Sequence, residues 1–259
     1  MVKTSITSVE PNKLITKGYR QDELMGNVPY SHVIYLLLKG ELPGKKEGKM
    51  IDAMLVSGID HGLTPPTCLA ARAIASSGVP LPTAVAGGLL SVGDWHGGAI
   101  ENCMAILYDA VKRMKEESKS PEEMAGILLG ELKEKGKRMP GLGHRIHTDD
   151  PRTKKLFKLA KELEIAGDHV ALLEAIKEHF ERKGKSLPIN VDGALAGVAC
   201  DMGFDRKLGK ALFLLGRAGG LVAEAYEEMT RERPMRRMNI EEQEYDGPEE
   251  RPLPEEYRE

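Results

Sequence analysis

Helical periodicity that is broken at short intervals by glycine and proline is the sequence feature that most restricts the fold of this chain. From Gln21 onwards, apolar side chains recur with the spacing of amphipathic helices, and Pro43-Gly44 ends the first such run. Alternating, strand-like patterns are confined to residues 1–20, which predict one short strand or an extended arm. The sequence therefore predicts an all-α protein with many short, Ala- and Gly-rich junctions and no internal repeat.

Length and charge limit the function classes. With 259 residues the chain is at the upper end of what one hydrophobic core supports, so one large domain and a large domain with a smaller lobe both fit. The formal charge is -3, but residues 241–259 carry nine acids against two arginines, which leaves the rest of the chain mildly basic. A mildly basic body suits an anionic small molecule and lacks the dense basic clusters of a nucleic-acid-binding protein. We expect the acidic tail to be a solvated or partner-wrapping end.

Cysteine and histidine usage gives further expectations. Cys68, Cys103 and Cys200 lie in apolar contexts without a Cys-x-x-Cys pair, as expected for reduced, buried thiols of a cytoplasmic protein. The histidines show no zinc-like spacing with these cysteines, so no metal site is expected. The first residues lack an apolar signal segment, and no apolar run has the length of about eighteen residues that a membrane span needs, which argues against secretion and membrane insertion.

A glycine-rich loop at residues 139–152 combines an imidazole with two guanidinium groups. Gly141 and Gly143 allow tight turns, His144-Arg145 follows at once, and Asp150-Pro151-Arg152 begins the next helix. An imidazole that polarises a carbonyl, beside guanidinium forks that bind carboxylate or phosphate, suits an enzyme acting on a small polyanionic keto acid. A simple surface loop with solvated side chains is the alternative.

Two other segments place reactive side chains at predicted helix starts. His96 precedes Gly97-Gly98 and a helix, where free backbone amides favour a phosphate or a thioester oxygen that gains negative charge. The alternative is a glycine-rich junction in which Trp95 is the packing anchor. Asp192 follows a short apolar run and precedes a helix of Gly, Ala and Val, and an ordinary N-cap aspartate is the alternative there.

His61 and Arg217 are further candidates. His61 follows a predicted helix that ends at Gly58, and Gly62 with Pro65-Pro66 comes next, so its side chain can point into a cleft. Arg217 is a lone cation among Leu, Gly and Ala, and an arginine in that setting needs an anionic partner if it is buried.

Taken in order, six short motifs resemble the citrate synthase superfamily across nearly the whole folded chain. The motifs are Asp60-His61-Gly62, His96-Gly97-Gly98-Ala99, Gly141-Leu142-Gly143-His144-Arg145 with Asp150-Pro151-Arg152, Asn190-Val191-Asp192-Gly193, Gly216-Arg217 and Arg233-Pro234. Six motifs in register are far more specific than any one of them. The short chain, and Asp-His-Gly where many synthases have Asp-His-Glu, look most similar to the compact citryl-CoA lyases and to the C-terminal citryl-CoA-cleaving module of ATP citrate lyase.

The resemblance implies a citrate synthase-like, all-α fold in which a small domain is inserted into a large one. Residues 1–96 and 205–259 would form the large helical domain, and residues 97–204 the small helical domain. The two domains would close on the substrate in a homodimer or a dimer of dimers.

The resemblance also implies which residues bind the acid portion of the substrate. His61, His144, Arg152 and Arg217 would hold oxaloacetate or the citryl group. His144 would act at the carbonyl or hydroxyl of the carbon that is formed or cleaved. Arg233 would reach a carboxylate across a dimer interface.

Two further residues would act on the thioester portion, by the same resemblance. His96 would hydrogen-bond the thioester oxygen as an enolate develops, and Asp192 would exchange a proton with the acetyl carbon. Coenzyme A would bind as part of the substrate, with no permanently bound cofactor. The residues implied at its site are Gly141, Leu142, Gly143 and Arg145, with Lys137 and Arg138 as weaker candidates.

The short chain and the lyase-like residues that flank the motifs predict a citryl-CoA lyase, which cleaves citryl-CoA reversibly to acetyl-CoA and oxaloacetate. Citrate synthase or 2-methylcitrate synthase is the alternative, because the family's synthases keep a histidine at the position of His96 and the ATP citrate lyase module does not. A second alternative is a non-catalytic helical module that binds CoA or tricarboxylates. The lyase hypothesis leaves open a citryl-CoA synthetase partner, and no nucleic-acid or membrane partner is expected.

Overall fold

Helices dominate the fold, which confirms the predicted all-α class. The computed structural model describes residues 2–144, 148–236, 244, 246–252 and 255. In these ranges the helices are α1 Gln21–Leu24, α2 Tyr30–Lys39, α3 Lys45–Ser57, α4 Pro66–Ala75, α5 Leu81–Leu90, α6 Ala99–Glu116, α7 Pro121–Glu134, α8 Pro151–Glu162, α9 Asp168–Arg182, α10 Val191–Asp201 and α11 Gly209–Arg231. A 3-10 turn at Arg206–Leu208 leads into α11.

The N-terminal segment forms a small antiparallel meander where one strand or an arm was predicted. Its strands are β1 Thr7–Glu10, β2 Lys13–Thr16 and β3 Tyr19–Arg20, with β2 between the other two. Asn12 and Gly18 adopt left-handed φ angles of 62° and 89°, so each reverses the chain within two residues. Asparagine and glycine tolerate such angles, so these two residues were local signals for turns. The prediction of a single strand or arm rested on the alternating pattern alone and did not include them.

Helix α10 is the central element of the larger hydrophobic core. Every residue from Gly193 to Cys200 is buried, and α6, α8 and α9 pack around the helix. Its small side chains permit this close packing: a Cβ added at Gly197 would lie 2.7 Å from the Cδ1 atom of Leu173 on α9. The N-terminal end of this largely buried helix is thereby held in place, and Asp192 lies in its first turn.

Glycines bring helix α11 against the end of α3 and the turn that follows it. A Cβ added at Gly216 would lie 2.7 Å from the carbonyl oxygen of Leu55, and one added at Gly220 would overlap the carbonyl oxygen of Ile59. The backbone of α11 therefore lies directly against the end of α3 and the turn that follows it. This contact fixes the position of Arg217, one turn before Gly220, beside residues 58–68.

A buried ionic network joins α4 to α11. The Arg72 guanidinium, which is 4% exposed, donates to Glu224 at 2.7 Å, to Glu228 at 2.8 Å and to Glu227 at 3.0 Å. Arg236, beyond α11, donates from its Nε to the Glu228 carboxylate at 2.8 Å. These cations lower the pKa of the Glu228 carboxyl, with the Arg236 hydrogen bond as the largest cause. Removing Arg72 would leave the buried Glu224 carboxylate without the cation that it pairs with, so the network ties α4 to α11.

The remaining local predictions agree with the structure in most respects. Ser120 and Glu123 form a capping box at the start of α7, with both reciprocal hydrogen bonds present. All three cysteines are free and buried. None of the described helices combines the length and apolar character that crossing a bilayer requires.

The Gly220 contact gives a stability prediction. Replacing Gly220 with alanine should destabilise the protein by about 2–4 kcal/mol, because the new methyl group overlaps a backbone oxygen that cannot rotate away. Urea unfolding, monitored by circular dichroism, measures the change in the free energy of unfolding. Gly130→Ala is the matched control: Gly130 lies exposed within α7 with nothing near the added carbon, so the substitution should stabilise the protein by about 0.5–1 kcal/mol. Equal effects of the two substitutions would contradict the proposed contact.

Candidate active site

Residues from five separate parts of the chain line one cavity of about 480 Å³. Seven of the residues predicted from the sequence are among them. The complete lining is His61, Thr64, Pro65, Pro66, Trp95, His96, Gly97, Gly143, His144, Arg152, Asn190, Val191, Asp192, Phe213 and Arg217. The cavity therefore joins the turn after α3, the turn before α6, the loop before α8 and the start of α10, with α11 contributing its second and third turns.

Arg217 is the most deeply buried cation of the cavity, at 3% exposed. Its Nε donates to the Gly58 carbonyl oxygen at 2.8 Å and its Nη1 to the Thr67 hydroxyl at 3.3 Å. The guanidinium carbon lies 5.0 Å from the centre of the Phe213 ring. These contacts fix the plane of the guanidinium, and a fixed fork at a cavity wall is suited to binding a carboxylate.

A small acidic cluster lies behind Arg217. The Cys68 thiol donates to Asp60 at 3.6 Å, and side-chain ligand atoms of Cys68, Asp60 and Glu224 come within 4.8 Å of one another. Glu224 is paired with Arg72, and Arg217 Nη1 lies 3.9 Å from the Cys68 sulfur. Burial is the main cause that raises the pKa of the Cys68 thiol. The neighbouring guanidinium groups already supply the positive charge that a metal ion would otherwise provide to these side chains.

Arg152 is oriented by a buried carboxylate. Asp150, only 1% exposed, accepts from Arg152 Nε at 3.0 Å and from Nη2 at 2.8 Å, and it also accepts from the Arg152 backbone amide at 2.9 Å. The same carboxylate thus caps α8 and holds its arginine. A two-point bond of this kind fixes the guanidinium plane, so Arg152 presents its remaining donors in one direction.

The two predicted imidazoles of the acid-binding group lie side by side. The ring centres of His61 and His144 are 5.4 Å apart, and the Thr64 hydroxyl lies 3.4 Å from His61 Nδ1. His144 is half-buried at the end of the glycine-rich loop. The structure therefore brings together the two histidines that are 83 positions apart in the sequence.

The glycine-rich loop is fastened to the segment that leads into α10. The Gly143 amide donates to the Pro188 carbonyl oxygen at 2.7 Å, and the Asn190 side-chain amide donates to the Gly143 carbonyl oxygen at 2.7 Å. A Cβ added at Gly141, whose φ is 82°, would lie 2.6 Å from the Cα atom of Gly193. Backbone therefore packs on backbone, which brings the His144 loop against the turn of α10 that carries Asp192.

Asp192 is the second residue of α10 and does not cap it. The N-cap is Asn190, whose side-chain oxygen accepts from the Gly193 amide at 3.1 Å, so the alternative of an ordinary N-cap aspartate is wrong. The Asp192 carboxyl is half-buried at the cavity wall, and burial raises its pKa to about 6. Arg152 and Arg217 act against this shift, whereas the Asp150 charge adds to it. A carboxyl group with such a pKa exchanges protons readily near neutral pH.

His96 lies in a tight turn before α6. Its Nε2 atom is 3.0 Å from the Thr67 hydroxyl, and its ring meets the Phe213 ring edge to face at 5.2 Å. A guanidinium can only donate, so the Thr67 oxygen accepts from Arg217 and its own proton is available to His96 Nε2. When the Thr67 proton is directed at Nε2, neutral His96 carries its own proton on Nδ1.

Some site residues were missed or misassigned from the sequence. Thr67 and Phe213 carried no signal, because each looks like an ordinary residue of a helix. The capping role of Asn190 had a local signal, since asparagine is a favoured N-cap. Trp95 is 98% exposed, so the alternative in which it is a packing anchor is wrong.

The structure does not bring every predicted residue to the cavity. Arg233 is exposed beyond α11, and neither it nor the weaker candidates Lys137 and Arg138, also exposed, is among the described residues lining the cavity. Gly141 and Leu142 support the loop from behind, where Leu142 forms a bridge with Ile189. Arg145 lies outside the described residues.

The family described as "Citrate synthase, C-terminal domain" matches residues 43–238. Citrate synthase of Haloferax volcanii is 34% identical over 198 residues, which are 74% of this chain and 49% of that protein. Citrate synthase 2 of Bacillus subtilis is 30% identical over 230 residues, which are 86% of this chain and 58% of that protein. The chain thus spans about half the length of these curated relatives.

Solved structures give a match over the full length. The citryl-CoA lyase from Hydrogenobacter thermophilus superposes with a TM-score of 0.90 at 43% identity, covering 100% of both chains. ATP citrate lyase of Methanosaeta concilii shares the fold, with a TM-score of 0.78 over 96% of this chain and 42% of that one at 24% identity. By sequence match, fold and arrangement of the cavity, this chain belongs to the citrate synthase family.

Proposed function

We propose that this protein is a citryl-CoA lyase, which cleaves citryl-CoA reversibly to acetyl-CoA and oxaloacetate. The observation that carries the proposal is the convergence of His96, His144 and Asp192 on one cavity with two oriented arginines. The full-length similarity to the lyase from Hydrogenobacter thermophilus supports it. Coenzyme A takes part as a portion of the substrate.

The buried end of the cavity suits the acid portion. Arg152 and Arg217 are held in fixed planes by Asp150 and by Gly58, and they bind the carboxylates of oxaloacetate or of the citryl group. His144, beside His61, takes the hydroxyl proton of the citryl group directly or through a linked water as the carbon-carbon bond breaks. The hydroxyl carbon becomes the carbonyl carbon of oxaloacetate.

The bonding electrons pass to the departing two-carbon unit, which becomes a thioester enolate. His96 donates from Nδ1 to the enolate oxygen, because Thr67 occupies its Nε2. Asp192 then protonates the enolate carbon to give acetyl-CoA, and a pKa of about 6 keeps part of this carboxyl protonated near neutral pH. The reverse sequence forms citryl-CoA.

Domain closure and dimer formation belong to the same proposal. The division into residues 1–96 with 205–259 and residues 97–204 stays a prediction, and the cavity is lined from both parts.

Three mutually packed helices carry exposed apolar side chains, namely Leu69 on α4, Leu90 on α5 and Tyr226 on α11. These side chains support a homodimer or a dimer of dimers in which Arg233 acts on the partner's substrate.

Citrate or 2-methylcitrate synthase is the second candidate function. The presence of His96 in the cavity and the curated relatives with synthase names favour it. A synthase must also hydrolyse citryl-CoA, whereas a lyase stops at the aldol-type step. The two functions therefore differ in whether free CoA is released.

Two incubations test the proposal. The purified protein is given citryl-CoA in one and acetyl-CoA with oxaloacetate in the other, and oxaloacetate, free CoA and citrate are followed. A lyase converts citryl-CoA to acetyl-CoA and oxaloacetate without free CoA. Sustained release of CoA and citrate in the second incubation identifies a synthase instead, and binding of CoA without turnover in either identifies a non-catalytic module.

Loss of the Asp192 carboxyl should abolish most of the cleavage. We expect Asp192→Asn to lower kcat for citryl-CoA by about a hundredfold or more, because an amide cannot deliver a proton to the enolate carbon. Asp52→Asn, at an exposed position of α3, is the matched control and should retain the parent rate. Full cleavage by the Asp192 variant would refute the proposed role.

The raised pKa of Asp192 also predicts a pH-dependent stability difference. The folded protein binds this proton more tightly than the unfolded chain, so ionisation of Asp192 destabilises the fold as pH rises from about 4 through about 6. Asp192→Asn should therefore stabilise the protein by about 3 kcal/mol at pH 8 and by much less near pH 4. Chemical unfolding at both pH values measures this, and a pH-independent difference would argue against burial as the cause.

The Thr67 hydroxyl provides a test of the His96 arrangement. Thr67→Val removes the hydrogen bonds to His96 and Arg217 while keeping the shape, and kcat/KM for citryl-CoA should fall by about ten- to a hundredfold. Thr67→Ser keeps the hydroxyl and should remain within about threefold of the parent. If valine and serine behave alike, the hydroxyl does not position His96.

A further inference from the structure

Trp95 is the one tryptophan of the sequence, and it is almost completely exposed at the edge of the cavity. Single exposed apolar side chains are common on protein surfaces, so exposure alone decides nothing. The unusual property of Trp95 is the combination of a free indole ring with a rigid support beside a reactive residue. It directly precedes His96 in the chain.

The backbone that carries Trp95 is fixed by several contacts. The Gly93 amide donates a hydrogen bond to the His96 carbonyl oxygen at 3.0 Å, and the His96 amide donates to the Gly93 carbonyl oxygen at 3.0 Å. This pair of hydrogen bonds closes a tight turn with Trp95 at its tip. The Gly98 amide also donates to the Gly93 carbonyl oxygen, at 2.9 Å. A Cβ added at Gly97 would lie 2.7 Å from the Phe213 ring, so the turn packs closely on α11.

A salt bridge holds the other tip residue of this turn. Lys210 Nζ, at the start of α11, lies 3.2 Å from the Asp94 carboxylate. The backbone next to Trp95 is thus held on both sides, and only the indole projects freely. A side chain presented in this way loses little conformational entropy when a ligand packs on it.

The cavity changes in character from its floor to its mouth. Arg217 at the floor is 3% exposed, and Asp192 is half-buried. At the mouth, Thr64 and Pro66 are exposed, as is Trp95. An acyl-CoA whose carboxylates bind at the arginines must therefore direct the chain beyond its sulfur towards this mouth.

We propose that the indole of Trp95 is the surface on which the pantetheine arm of the acyl-CoA packs next to the thioester. This inference rests on the proposed function. The arm carries aliphatic carbons and amide groups, and an indole offers a flat apolar face together with one N–H donor. Because Trp95 and His96 are adjacent, the thioester oxygen at His96 and the arm at Trp95 are bound by one rigid turn. Trp95 thereby favours thioesters of CoA over free acids.

The sole tryptophan reports on this contact directly. Tryptophan emission of the parent protein is quenched with acrylamide in the presence of saturating oxaloacetate, with and without added CoA. CoA should lower the quenching constant at least about twofold, and the adenosine bisphosphate half of CoA alone should not, because it lacks the arm. Unchanged quenching at CoA concentrations that calorimetry shows to be saturating would overturn the proposal, as would equal protection by the adenosine fragment.

Steady-state kinetics provides the second measurement. Trp95→Ala should raise KM for citryl-CoA about tenfold with kcat changed less than about threefold, and Trp95→Phe should lie between this variant and the parent. In the condensation direction, KM for oxaloacetate should remain unchanged. Tyr30→Ala, at an exposed aromatic residue outside the cavity lining, is the matched control and should leave all constants unchanged. An equal rise of both KM values in the Trp95→Ala protein would overturn the proposal.

The two proposals fail in different ways. If citryl-CoA is not cleaved but CoA still protects Trp95 from acrylamide, the proposed lyase function is wrong and the arm-binding surface remains. If citryl-CoA is cleaved but the indole is insensitive to CoA, the lyase function remains and the role of Trp95 is wrong. A protein with neither property contradicts both.

Discussion

Direct contact between backbone segments at glycine is the constraint on which this site depends. Gly141 packs on Gly193, and Gly216 packs on the end of α3, at distances that no side chain would permit. The first contact brings the His144 loop to Asp192, and the second brings Arg217 to the turn of His61. Each contact joins parts of the chain that are far apart in sequence. The reactive groups therefore converge because the backbones that carry them lack a Cβ at the point of contact.

Charge in the cavity is balanced between desolvation and fixed cations. Burial raises the pKa of the Asp192 carboxyl, while Arg152 and Arg217 lower it. The carboxylate of Asp150 neutralises part of the Arg152 charge, which weakens the attraction between that arginine and Asp192. Asp150 thus does two things at once: it orients a guanidinium, and it keeps a neighbouring acid closer to neutrality. Such a compromise suits an acid that, in the proposed reaction, both gives and accepts a proton.

Much of this arrangement was predictable from the sequence. Helical periodicity predicted the fold class. The motifs in register predicted six residues of the cavity, namely His61, His96, His144, Arg152, Asp192 and Arg217. Local patterns succeed there because helix signals and glycine turns are encoded within a few residues. Thr67 and Trp95 were beyond such reasoning. The role of Thr67 exists only through two partners from distant segments, and the exposure of Trp95 depends on packing that a local sequence does not reveal.

The ionic network between α4 and α11 has a mechanical consequence. Sliding α11 along α4 by one helical turn, about 5.4 Å, would carry Glu224 and Glu228 away from Arg72 and leave buried charges unpaired. The two helices therefore form one rigid unit. Since Arg217 belongs to α11 and Thr67 to α4, the network also holds the Arg217 guanidinium at a fixed distance from the Thr67 hydroxyl that contacts His96. A domain closure of the proposed kind would instead move the elements of the opposite wall, which carry Asp192 and His144.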